Sequence, residues 1–117
     1  MRLSPRYTVR LAMLTLLACG DGDQDSGGSD VTLERGHKIY QNVCIACHSR
    51  DPSQDGSLGP AVARASLELL QAKVLRGEYP AGYTPKRPGS SVMPRFEYLA
   101  EALPDLATYL AQVQPEG

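Results

Sequence analysis

Cys44, Cys47 and His48 form the segment Cys-x-x-Cys-His, the grouping in this sequence best suited to chemistry. Two thiols at this spacing can close a redox disulfide, supply ligands to a metal ion, or form thioethers with the vinyl groups of a haem. In the third case one helical turn brings both sulfurs to the same side, and the adjacent His reaches the iron as an axial ligand. Which of these three chemistries applies depends on the other residues of the sequence.

A closed structural zinc site needs four Cys or His ligands. After Cys19 the chain offers only Cys44, Cys47, His48 and His37, so such a site would use every one of them. A thioredoxin-like redox pair belongs to a βαβ context, and the sequence contains no convincing strand. Because Cys-x-x-Cys-His is the attachment sequence of c-type haem, we expect one covalently bound haem c held by Cys44 and Cys47, with His48 on the iron.

The first 18 residues have the layout of an export signal. Three arginines in the first ten residues precede an apolar run, 11–18, that is too short to span a bilayer. Residues 16–19, Leu-Leu-Ala-Cys, resemble the bacterial lipobox, which predicts cleavage before Cys19 and a lipid on its sulfur. The alternatives are a plain signal peptide with an incidental Cys, or an uncleaved N-terminal anchor.

Composition divides the remaining chain into a linker and one small domain. Residues 19–30 are rich in Gly, Ser and Asp, which predicts a flexible acidic tether, and 31–117 form the domain. Aromatic residues make up only 6% of the sequence, which limits the hydrophobic core. A domain of this size therefore needs additional stabilisation, for example from a buried cofactor. A net charge of −1 without a basic run gives no reason to expect a nucleic-acid partner.

Hydrophobic spacing predicts three helices and no strand. Apolar residues recur at three and four between Thr32 and His48, and again in 67–76, where Ser66 is a candidate N-cap and Gly77 a stop signal. A last helix runs from about 101 to 112, after a proline-rich irregular stretch. The fold class is therefore small and all-α, with three to four helices wrapped around the haem.

From about Thr32 to Gln114 the chain resembles class I bacterial cytochromes c. The residues that carry the resemblance are Gly36 and Tyr40 in the first helix, Leu58-Gly59-Pro60, the Ser-Ser-Val-Met-Pro-Arg-Phe segment at 90–96 and the last helix at 103–110. The resemblance implies that the Pro60 carbonyl accepts a hydrogen bond from His48. It also implies that Gly36 contacts the last helix near Leu106 and Tyr109.

Met93 is the candidate for the second axial ligand. It is the only Met after the signal, and His37 is the only other His. His37 precedes His48 on the same predicted helix, and a rigid helix on one side of a haem cannot also supply a ligand to the other. Met93 lies in a proline-bounded loop that can reach the second face, and a thioether is a suitable axial ligand for a high-potential carrier. The alternative is a Met that only fills the core.

Weaker candidates lie between the second helix and the last. Tyr79 and Tyr83 could hydrogen-bond the carboxylates of a haem, as could Arg87 or Arg95, although packing and solvated charge explain such residues equally well.

Two protein ligands leave no coordination position for a substrate, so we expect an electron-transfer protein and not an enzyme. The expected function is a membrane-tethered carrier of single electrons between redox protein partners, lipid-anchored in the bacterial periplasm. Three alternatives remain: a haem subunit of a larger periplasmic oxidoreductase, a haem enzyme or gas sensor in which Met93 is displaced, and a thiol oxidoreductase with a titratable Cys44–Cys47 disulfide.

Overall fold

The computed structural model describes residues 25–88 and 93–115, and in these ranges it contains helices and no strand. The elements in chain order are α1 (Asp25–Val43), a 3-10 turn (Cys44–Ala46), α2 (Leu67–Leu70), a π-helical segment (Gln71–Arg76), a 3-10 segment (Glu97–Ala102) and α3 (Leu103–Gln112). The small all-α class is confirmed. No helix in the described ranges is long and apolar enough to span a bilayer.

Helix α1 begins earlier than the sequence predicts. It starts at Asp25 and not near Thr32, so residues 25–30 of the predicted tether are helical and the helix crosses the predicted domain boundary at residue 30. Thr32 is not an N-cap: its Oγ1 donates to the carbonyl of Gly28 at 2.9 Å. Extending a formed helix adds one hydrogen bond per residue without a new nucleus, and composition alone misses this. The predicted signal, 1–18, and Cys19 lie outside the described residues.

The second helix has the predicted bounds but two kinds of hydrogen bonding. The Ser66 side chain accepts from the Leu69 amide, and the chain leaves the helix at Gly77 with a φ of 69°. Both signals are therefore confirmed. From Gln71 the hydrogen bonding widens to π spacing over six residues. So short a segment has too few apolar residues for its periodicity to distinguish π from α hydrogen bonding.

Helices α1 and α3 cross at a glycine. A Cβ on Gly36 would overlap the carbonyl oxygen of Asp105 and lie 2.6 Å from Cβ of Tyr109. The close approach lets Tyr40 pack into the core with the leucines of α3. The buried apolar residues of the core are Tyr40, Leu70, Ala72, Val74, Leu99, Leu103, Leu106 and Leu110.

The last helix begins two residues later than the predicted start near residue 101 and ends at Gln112 as predicted. A 3-10 segment over Glu97–Ala102 leads into α3, and Pro104 lies in the first turn, where its missing N–H costs no intrahelical bond. The core face of α3 then packs against α1.

Candidate functional site

A tight turn at the end of α1 presents Cys44, Cys47 and His48 together. The amides of Cys47 and His48 both donate to the carbonyl of Cys44, at 3.2 and 3.0 Å. Helix α1 ends at Val43 and the 3-10 turn ends at Ala46, so the helix does not continue to His48 as predicted. The tighter winding groups the three side chains, which are all partly buried.

Tyr40 anchors this turn from inside the core. Its hydroxyl donates to the carbonyl of Ser49 at 2.5 Å, and only 1% of its surface is exposed. Burial raises the pKa of the Tyr40 hydroxyl, so the hydroxyl stays a donor. This role of Tyr40 is not predicted from the sequence, although a buried tyrosine hydroxyl generally needs a partner.

The imidazole of His48 is oriented by the loop that follows. Its Nδ1 lies 2.8 Å from the carbonyl oxygen of Pro60. A carbonyl oxygen only accepts hydrogen bonds, so Nδ1 carries a proton, and in the neutral imidazole the free lone pair lies on Nε2. This is the hydrogen bond that the sequence resemblance implies, and it prepares Nε2 to bind a metal.

One cavity collects the candidate residues. Its volume is about 430 Å³, and Cys44, Cys47, His48, Pro60 and Met93 all line it. Apolar residues of the core and of the following loop supply most of the remaining wall, among them Leu69, Leu70, Val74, Leu106 and Leu110. The turn after α1 and the segment before α3 thus contribute to the same site although they are far apart in the sequence.

Comparison with protein families decides what this arrangement is. A model of the Cytochrome c family matches residues 33–114. The chain belongs to the cytochrome c family. Searches of curated proteins and of solved structures gave no significant match. This cytochrome c therefore belongs to a family whose members bind haem c covalently and transfer electrons to redox protein partners.

The cavity of this cytochrome c fits the cofactor of its family. Two thiols and an imidazole with a free Nε2 lie together in its wall, and a thioether is available from Met93. The charged residues that line it within the described ranges are basic, namely Arg64, Lys73 and Lys86. An apolar cavity with basic residues suits a flat apolar macrocycle that carries carboxylates.

The two alternative uses of the cysteines fit less well. Burial raises the pKa of the Cys44 thiol to about 11, so it stays protonated at neutral pH, whereas redox-active thiols have a lowered pKa. His37, which a zinc site would need, is an exposed residue whose ring packs on Tyr109 at 5.2 Å. No grouping of three or more His, Cys, Asp or Glu that could hold a metal ion occurs in 25–88 and 93–115.

The weaker candidates separate into two groups. Tyr79 and Tyr83 line the cavity and stack on each other with centroids 5.4 Å apart, and Nζ of Lys73 lies 4.1 Å from the Tyr79 centroid. Arg87 and Arg95 are not among the described lining residues. Whether Tyr79 and Tyr83 contact a haem carboxylate stays a prediction.

Gly59 makes room for the His48 ring. A Cβ at this position would lie 2.5 Å from Nδ1 and 2.9 Å from Nε2 of the imidazole. The amides of Leu58 and Gly59 both donate to the Cys47 carbonyl, at 3.1 and 2.8 Å, so the loop cannot easily retreat. The Leu-Gly-Pro motif predicts the loop from the sequence. The need for glycine at position 59 is explained only by its close approach to the His48 ring.

We expect Gly59→Ala to displace the imidazole and weaken its hydrogen bond to Pro60. The free energy of unfolding should fall by about 1–3 kcal/mol, as for other overpacked sites. Denaturant unfolding of the haem-loaded protein measures this. Ser57→Ala, an exposed change in the same loop, is the control, and equal stability of the two variants would contradict the contact.

Proposed function

We propose that this cytochrome c is a monohaem electron carrier of class I. Cys44 and Cys47 form the two thioethers, and His48 and Met93 are the axial ligands. The observation that carries the proposal is the single cavity that all four residues line, with Nε2 of His48 left free by the bond from Nδ1 to Pro60. The family match independently supports electron transfer as the activity.

The protein side chains determine what the site can do. When bound, haem c supplies a reversible one-electron redox couple. Pro60 keeps the imidazole in one tautomer and orientation, and the apolar wall excludes water, which disfavours extra positive charge and raises the reduction potential. With His48 and Met93 both serving as ligands, no position remains for a substrate, so electrons pass to partners that dock briefly.

An optical spectrum of protein matured with haem attachment tests this function. We expect covalent haem c, a methionine–iron charge-transfer band in the oxidised form and slow carbon monoxide binding in the reduced form. Rapid carbon monoxide binding without that band would favour the gas sensor or haem enzyme. A colourless protein with a titratable disulfide would favour the thiol oxidoreductase, and a copurifying oxidoreductase would favour the subunit of a larger enzyme.

We also propose that the protein is lipid-anchored through Cys19 in the bacterial periplasm. The support is the sequence: the basic and apolar layout of 1–18, and the lipobox-like residues 16–19. The anchor would keep the carrier close to membrane-bound redox partners and raise its effective concentration there.

Cys19→Ser should move the protein from the membrane fraction to the soluble fraction, because acyl chains contribute about 0.8 kcal/mol per buried CH₂. Fractionation followed by detection of the covalent haem measures the distribution. Gly20→Ser keeps the thiol and is the matched control. Persistent membrane association of the Cys19→Ser variant would contradict the anchor.

A further inference from the structure

Three polar side chains join two loops that are distant in the sequence. Nη2 of Arg87 donates to the carbonyl of Gly56 at 3.0 Å and lies 3.7 Å from Oδ2 of Asp55. Nζ of Lys86 donates to the carbonyl of Ala61 at 2.9 Å. Oδ1 of Asp55 accepts from the Ala61 amide at 2.8 Å. We call Asp55, Lys86 and Arg87 the loop latch.

The loop held by the latch is the one that orients His48. Ala61 has both its amide and its carbonyl bound to the latch, and it directly follows Pro60. The Pro60 carbonyl in turn accepts the hydrogen bond from Nδ1 of His48. The latch contacts therefore fix the backbone at Ala61, directly after the Pro60 carbonyl that orients the His48 imidazole.

The contacts with the backbone carry most of this effect. The Asp55 and Arg87 side chains are 66% and 30% exposed, and an ion pair as exposed as this contributes little by itself. Hydrogen bonds from charged donors to carbonyl oxygens are stronger and directional. Arg87 and Lys86 each make one, to Gly56 and Ala61.

We infer that the loop latch is a positioning device for the axial histidine. It holds the Pro60 carbonyl against Nδ1 of His48, and it pins the segment that carries Tyr79 and Tyr83 beside the cavity. Arg87 thus acts on His48 through the loop. The inference rests on the proposed function, because it takes His48 as an axial ligand.

The test is Arg87→Ala in the haem-loaded protein, followed by NMR. We expect the Nδ1 proton of His48 and the amide proton of Ala61 to exchange with solvent about tenfold faster, as expected for loss of a charged hydrogen bond. The reduction potential should shift as well. Arg87→Lys, which keeps the charge but loses the planar fork, should restore part of the protection.

Arg76→Ala is the matched control. Arg76 pairs with Glu78 at 3.5 Å in an exposed ion pair outside the two latched loops. We expect no change in the exchange of the His48 proton in this variant. If Arg87→Ala and Arg76→Ala behave alike, the latch has no positioning role and the inference is overturned.

Two further outcomes separate the inference from the proposed function. Wild-type protein that matures without haem, or without His48 on the iron, would contradict the proposed function and the inference with it. If only Arg87→Ala fails to retain haem, Asp55→Ala decides, because alanine removes the acceptor of the Ala61 amide and leaves Arg87 in place. Faster exchange of the His48 proton in Asp55→Ala supports the latch, and unchanged exchange overturns it.

Discussion

Met93→Ala is expected to leave the haem covalently attached while the reduction potential falls. The proposed thioethers to Cys44 and Cys47 would not depend on Met93, but a Met ligand raises the potential of a c-type haem. We expect a decrease on the order of 0.1 V or more, within the ~0.8 V range that axial ligands control. Potentiometric titration measures the decrease, and rapid carbon monoxide binding to the reduced form should accompany it.

Met93→Leu separates ligation from packing. Leucine keeps the apolar volume, so its effect on the free energy of unfolding should stay below about 1.5 kcal/mol. It has no sulfur, so we expect the potential to fall and carbon monoxide to bind as in Met93→Ala. A potential that stays at the wild-type value in both variants would show that Met93 only fills the cavity it lines.

Gly36→Ala is expected to destabilise the whole domain. The added Cβ would overlap the carbonyl of Asp105 and crowd Cβ of Tyr109, which are atoms of a helix and cannot swing away. Helices α1 and α3 must therefore separate, and we expect a loss of about 3 kcal/mol in the free energy of unfolding. Such a loss is a large fraction of the roughly 5–15 kcal/mol that stabilises a typical domain.

Gly28→Ala is the control for this prediction. Gly28 lies on the same helix, and a Cβ there would meet no atom within 4 Å. Because alanine favours a helix over glycine by about 1 kcal/mol, this variant should be unchanged or slightly more stable. Denaturant unfolding of the two variants compares them directly, and equal stabilities would show that the close crossing is not required.

The elements next to the site were predictable because their signals are local. Ser66 and Gly77 bound the second helix in the sequence and in the structure. Two non-local contacts were predicted only from the resemblance to class I bacterial cytochromes c. These are the contact of Gly36 with α3 and the hydrogen bond between His48 and Pro60, and both are present. The early start of α1 was missed because Gly and Asp composition indicates a linker even where helical hydrogen bonds continue.

The loop latch could not be predicted because its members belong to segments without periodicity. Arg87 and Gly56 are far apart in the sequence, and an arginine in a proline-rich stretch has many possible partners. The role of Gly59 was equally hidden, since the need for a small residue arises only from the position of the His48 ring. Such contacts depend on how loops are brought together by the helices and not on any local pattern.

The crossing of α1 with α3 also constrains the order of events as the protein matures. The core of the described chain draws three fully buried leucines from its last helix, Leu103, Leu106 and Leu110. The first helix therefore lacks its main packing partner until α3, near the other end of the domain, has been synthesised. Until then Cys44 and Cys47 lack the part of the cavity wall that Leu106 and Leu110 supply. Under the proposed function, we therefore expect haem attachment to precede closure of the fold.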